Sequence, residues 1–262
     1  MGFSLVSLVR GGRALTLLAG LVPVLVSVVV PGVASGPAQA GDRPRGVVEL
    51  FTSQGCSSCP PADRLMQKLA ERDDLVALTF PVDYWDYLGW QDTLALPAHS
   101  ARQRDYAEAR GDREVYTPQI VVNGHRHLVG SDHGALERAL SALPALPVQV
   151  TLEPHSDVLE IRVSGALPAE VARAPGAMAT VVFAFVSDPV AVNIGRGENR
   201  GREIVYSNVV LGLRAVGMWD GGTATYRLPM SELRKMRAGR CAVLVQMERD
   251  GRPGIILGAG ML

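Results

Sequence analysis

Cysteine is scarce in this chain: 262 residues hold three, at Cys56, Cys59 and Cys241. A secreted scaffold stapled by disulfides needs more, which excludes a framework of bridges as the organising principle. Charge of one sign is lacking too, since 26 basic residues balance 26 acidic ones. No Lys/Arg run breaks that balance, so neither nucleic acid nor an anionic membrane surface is an expected partner. The chain shows no internal repeat, no low-complexity tract, no Ser–His–Asp arrangement and no metal-protease motif. What is there, 47% hydrophobic and 20% charged, is a globular composition. Its length suits one large domain or two modest ones.

Charge is also absent between Arg13 and Asp42. Arg10 and Arg13 form a short basic start, Ala14 to Val33 is almost wholly apolar, and Ala38-Gln39-Ala40 is a small-x-small cleavage site. The pattern is that of a secretory signal peptide over 1–40, cut after Ala40. It implies a periplasmic or secreted protein with no integral membrane span after cleavage. An uncleaved anchor is the rival, because about 20 apolar residues can cross a bilayer; Pro23, Pro31 and the Gly/Ser-rich end count against it. Gly11-Gly12 between the arginines counts against twin-arginine export, and no cysteine stands near the cleavage point to take a lipid. Outside the cytoplasm, disulfides form and persist.

Val47 to Thr52 is an apolar run that reads as a buried strand. Ser53 to Ser58 is a turn, and Cys59-Pro60-Pro61 opens a helix that Ser57 or Ser58 can cap. Leu75 to Val82 is the next strand, which implies a right-handed parallel unit. An aromatic loop follows, Tyr84-Trp85-Asp86-Tyr87-Leu88-Gly89-Trp90, and then a polar helix from about Pro97 to Arg110, closed by Gly111. Gln119–Val122 and His125–Val129 flank Asn123-Gly124, a type I′ hairpin signal. Ser131 or Asp132 caps a further helix through about Leu140, and Pro144 and Pro147 mark a boundary. Beyond it, strands are expected over 148–153, 158–164, 178–187, 203–211, 223–228, 240–247 and 254–258, with one short helix near 231–237. Short strands broken by Gly, Pro and Asp suggest a β-sandwich-like second domain.

Cys-x-x-Cys alone is a redox pair, half of a metal site, or a structural bridge. After a buried strand and at a helix N-terminus, backbone N–H groups favour an anion, which stabilises the Cys56 thiolate as a nucleophile. Cys59, one turn on, is better shielded and suited to resolve a mixed disulfide. Thr117-Pro118 reads as trans on frequency alone, since X-Pro bonds are cis in only about 5% of folded cases.

The order strand, Cys-x-x-Cys-Pro helix, strand, x-Pro-strand-Asn-Gly-strand-helix resembles the thioredoxin superfamily over about residues 46–142. That resemblance implies a cis Pro118 packed against the cysteines, with Thr117 offering backbone groups to an extended thiol substrate. More narrowly, Glu-Leu-Phe-Thr-Ser-Gln-Gly-Cys-Ser-Ser-Cys-Pro-Pro-Ala-Asp, Val-Asp-Tyr-Trp-Asp-Tyr-Leu-Gly-Trp, Ala-Arg-Gln-Arg-Asp-Tyr-Ala and the loop at 195–202 are similar to exported bacterial proteins grouped as domain of unknown function 1223. This likeness spans essentially the whole mature chain and implies a fold and a location but no activity. The sequence departs from thioredoxin in its Ser-Ser dipeptide and in having no tryptophan before Cys56. The insertion at about 84–116 also places Pro118 59 positions after Cys59.

The expected fold is an α/β thioredoxin-like domain over 41–143 with an inserted helical segment, followed by a mainly-β, sandwich-like C-terminal domain over 148–262. The expected function is thiol–disulfide exchange on protein or small-molecule thiols, with Cys56 attacking, Cys59 resolving and Pro118 shaping the groove. No cofactor is called for. The alternative is a non-catalytic binding module that holds a protein or a metal at the cysteine pair. Glu49, in the first strand, is a candidate acceptor for the Cys59 proton. Tyr84, Trp85 and Trp90, with Tyr87, form either a rim that grips substrate or core for the inserted helix. His125, His127 and His133 read as surface residues rather than copper ligands. The Gly195–Arg202 loop reads as a long hairpin, and Cys241 as a buried small hydrophobe.

Overall fold

Gly46–Thr52 forms strand β1, and every residue of it is buried, as a strand covered on both faces requires. The computed structural model describes residues 43–174 and 176–262, so the expected signal peptide lies outside the described residues. Helix α1 (Pro60–Ala70) follows β1, then β2 (Leu75–Pro81), helix α2 (Pro97–Arg110), β3 (Gln119–Val122), β4 (Arg126–Val129) and helix α3 (His133–Ser141). The strands pair in the order β2-β1-β3-β4, with β1 parallel to β2 and antiparallel to β3. The Asn-Gly turn has φ of 49° at Asn123 and 68° at Gly124, the left-handed pair a type I′ turn demands. Asp132 caps α3 by accepting from the Ala135 N–H at 2.8 Å. The serine cap expected for α1 is not made: Cys59 itself is the N-cap, without a side-chain bond. Pro60 and Pro61 carry no N–H, so a cap there has little to satisfy.

The C-terminal half supplies β5 (Val148–Pro154), β6 (Val158–Gly165), a short α4 (Ala169–Ala172), β7 (Ala179–Val186), β8 (Val190–Asn193), β9 (Glu203–Tyr206), β10 (Val210–Trp219), β11 (Gly222–Pro229), α5 (Met230–Lys235), β12 (Arg240–Arg249) and β13 (Arg252–Met261). Seven of these strands join in one sheet, ordered β10-β7-β12-β13-β5-β6-β11, while β8 and β9 pair as a separate hairpin. The single strand expected over 203–211 is therefore two, β9 and the start of β10. The ends of the large sheet curl toward each other, since the Tyr226 hydroxyl on β11 donates to the Met218 carbonyl on β10 at 2.7 Å.

Side chains alternate across a strand, and that alternation stacks the layers. Val48 and Leu50 of β1 pack with Ala62, Leu65 and Met66 of α1 and Leu136 of α3. Val47 and Phe51 point the other way, into a cluster with Val182, Ala184 and Val186 of β7 and Ala242 and Leu244 of β12. The opposite faces of the same strands, Val181, Phe183, Phe185, Val243 and Val245, fill the inside of the curl with Trp219. Cys241 lies in that inner cluster, and burial pushes its thiol up to about 11.

Candidate functional site

Cys56 and Cys59 are joined as a disulfide, Cα atoms 5.4 Å apart, between the end of β1 and the first turn of α1. The turn closes through the Cys56 N–H on the Ser53 carbonyl and the Cys59 N–H on the Cys56 carbonyl, at 3.1 and 3.2 Å. Ser57 and Ser58 are exposed, but Cys56 is only 1% exposed and Cys59 0%. The loop between β8 and β9 lies against this turn. Asn199, fully buried in it, donates from Nδ2 to the Gln54 carbonyl at 2.9 Å and to the Cys56 carbonyl at 2.8 Å. The expected hairpin at 195–202 is thus present, and it docks on the cysteines.

Thr117-Pro118 is a cis peptide. Gln119 pairs with Phe51, so Pro118 is level with Thr52, where β1 leaves the sheet for the cysteine turn. A Cβ at Gly130 would lie 3.1 Å from Pro118 and 3.3 Å from Ala62, which puts the proline beside the first turn of α1. Trp85 Nε1 donates to Thr117 Oγ1 at 2.8 Å, and Trp90 Nε1 donates to Gln54 Oε1 at 2.8 Å. Tyr84 and Trp85 pack against the core between the sheets, while Trp90 packs with Ile194, Ile204 and Tyr206. These aromatics brace the turn. Tyr87, by contrast, is 80% exposed.

Behind the cysteines is a buried polar cluster. Asp63 in α1 accepts from Thr52 Oγ1 at 2.7 Å. Asp92 accepts the N–H groups of Gln54, Leu94 and Ala95 at 2.8, 2.9 and 3.1 Å. Burial raises Asp63 to about 7, despite the Thr52 bond, and raises Asp92 to about 6, despite its three N–H donors. Asp63 Oδ2, Asn199 Oδ1 and the Tyr206 hydroxyl are buried without a partner among the described residues.

Glu49, expected beneath the cysteines, faces away from them. It shares the parity of Val47 and Phe51, so it points at the second sheet rather than at α1. There it accepts from Arg102 Nε at 2.8 Å and from the Tyr106 hydroxyl, and Gln246 of β12 bonds both Arg102 and Tyr106.

Residues 47–246 match the model of a protein family of unknown function, DUF1223. The chain belongs to the DUF1223 family. It is similar to the crystal structure of protein AGR_C_4864 from Agrobacterium tumefaciens, at 38% identity and a TM-score of 0.74, over 84% of this chain and 94% of that one. It is also similar to HBP35 of Porphyromonas gingivalis, at 14% identity and a TM-score of 0.55, over 84% of this chain and 75% of that one, a likeness of fold alone. No curated protein matches.

In this DUF1223 chain, no helix of the described residues is long and apolar enough to cross a membrane, and no three His, Cys, Asp or Glu side chains among them cluster as a metal site would need. His125 and His133 are exposed, and His127 Nδ1 bonds the Tyr116 hydroxyl at 3.0 Å. The residues that sequence reading passed over are Asp63, Asp92, Asn199 and Tyr206. Asp63 alone carried a local signal, four positions after Cys59 on one helix face.

Proposed function

We propose that this protein is an exported thiol–disulfide oxidoreductase of thioredoxin-like architecture, acting through Cys56 and Cys59 on protein or small-molecule thiols. The observation that carries the reading is the position of the bonded pair, at the junction of a central strand and a helix, beside a proline that opens the neighbouring strand. The sheet order β2-β1-β3-β4 with α1 and α3 on one face supports the thioredoxin-like description. The leader over 1–40 supports the exported location. In exchange, the Cys56 thiolate attacks a substrate disulfide, and Cys59 displaces the substrate from the mixed disulfide. Thr117, with the backbone at Pro118, lies where an extended substrate would align.

Burial of both sulfurs favours a second reading, a structural bridge or binding module that never turns over. Equilibration of the Cys56–Cys59 pair with glutathione separates the two. Exchange with a potential between roughly −120 and −270 mV is the expected result. A potential well below about −300 mV would mean a structural bridge, and the oxidoreductase reading would be abandoned.

A further inference from the structure

The helix that starts at Cys59 carries a second buried reactive group one turn on. Cys59 has helical backbone angles (φ −77°, ψ −36°), and its carbonyl accepts the Asp63 N–H at 3.1 Å. Side chains four apart in a helix share a face, with Cβ atoms about 5–6 Å apart. Both residues are sealed from solvent, Cys59 at 0% and Asp63 at 2% exposure. One Asp63 oxygen accepts from Thr52, and Oδ2 has no partner among the described residues. Strand β9 packs along α1, with Gln67 Nε2 on the Val205 carbonyl at 2.8 Å, which brings the unpartnered Tyr206 hydroxyl to the same pocket. The charged and titratable groups that act on Asp63 are Asp92 from the segment after the aromatic loop, Arg64 from its own helix and Tyr206 from β9.

We propose that Asp63 accepts the Cys59 proton during exchange and returns it in the reverse direction. The inference rests on the oxidoreductase reading above. With the pair reduced, the Cys56 thiolate attacks one sulfur of a substrate disulfide. That S–S bond breaks, and one substrate thiolate leaves with the electron pair. The Asp63 carboxylate takes the proton from the Cys59 thiol, and the Cys59 thiolate attacks Cys56 Sγ. The mixed disulfide breaks, and the second substrate thiolate leaves. The protein pair has lost two electrons, the substrate disulfide has gained them, and one proton stays on Asp63 until solvent removes it. In reverse, protonated Asp63 protonates Cys59 as it leaves. A carboxyl pushed up to about 7 by burial holds that proton at a pH where a free carboxylate would not.

The test uses the reduced full chain and an aromatic disulfide whose released thiolate is coloured, 5,5′-dithiobis(2-nitrobenzoate). Two thiolates are released, the first by Cys56 and the second by Cys59. In Asp63→Asn the first release should be unchanged and the second at least tenfold slower between pH 6 and 8, with Asp63→Glu restoring part of the loss. Equal second-release rates in wild type and Asp63→Asn overturn the proposal while leaving the oxidoreductase reading intact. Absence of any release from the wild-type protein overturns that reading and the proposal with it. Because the asparagine variant can misfold, the Asp63 carboxyl carbon is also titrated by NMR in the wild-type protein. Its midpoint should move when the pair is reduced; the same midpoint in both redox states overturns the proposal.

Discussion

Replacing Arg102 with methionine leaves the Glu49 side chain buried and half-partnered, with the Tyr106 hydroxyl as its remaining donor. Breaking one side of such a pair costs about 3–5 kcal/mol, whereas exchanging both partners for apolar residues costs far less. Urea unfolding should therefore show Arg102→Met well below wild type and Glu49→Leu/Arg102→Met recovering most of the loss; a double variant no better than the single one would refute this account. In Asp63, burial favours the acid form in the folded state. Its value rises from 3.8 to about 7 on folding, so between those limits the folded protein binds more protons than the unfolded chain. Stability from this group is full below about pH 4 and is lost as pH rises through 7, roughly 4 kcal/mol in all. Asp63→Asn keeps an acceptor for Thr52 and should flatten that slope, measured as unfolding free energy from pH 4 to 8; an unaltered slope would show that Asp63 is not its source. The difference between the two carboxyls was not legible in the sequence. Glu49 sits in a run apolar on both faces, so its parity, which decides whether it meets α1 or the second sheet, has no polar neighbours to mark it.

The β8–β9 hairpin is tied to the cysteine turn by Asn199. Asn199→Ala removes both bonds from Nδ2, each worth about 1 kcal/mol. Reduction of the disulfide by dithiothreitol should then run about tenfold faster, with a fall of about 4–8 °C in melting temperature; an unchanged rate would mean that the loop does not limit access. Element boundaries were legible wherever local chemistry punctuates the chain. Pro97 opens α2 and Gly111, at φ 77°, closes it, and the Asn-Gly turn sets the β3–β4 hairpin. The buried side of α2 was not legible, because His99, Arg102, Gln103 and Tyr106 face inward and leave no apolar stripe. The split between β9 and β10 falls at Ser207-Asn208. Asn208 takes φ 50° and donates to the Ala77 carbonyl at 2.9 Å, a tie to β2 that no local pattern announces.

The two sheets share one core. Val47, Phe51 and Phe80 on one side meet Val182, Ala184, Val210 and Leu244 on the other. The hairpin turn is fitted to this interface, since a side chain at Gly124 would strike the Gly254 carbonyl on β13. A fragment ending at residue 147 would leave that face of β1 and β2 bare, together with Glu49 and Arg102. It should lack dispersed amide resonances and bind a hydrophobic dye, while the chain from residue 41 to 262 unfolds in one transition; a well-folded fragment would refute the shared core. Which strands lie side by side depends on contacts between distant parts of the chain, and no stretch of sequence holds both partners. Distance along the chain also sets a clock. Asn199 meets Cys56 across 143 residues. Made N-terminus first at about 5–20 residues per second, the chain holds its two cysteines for roughly 7–30 seconds before the loop that meets them has been synthesised. During that interval an oxidant that reaches the pair would meet no cover from this loop.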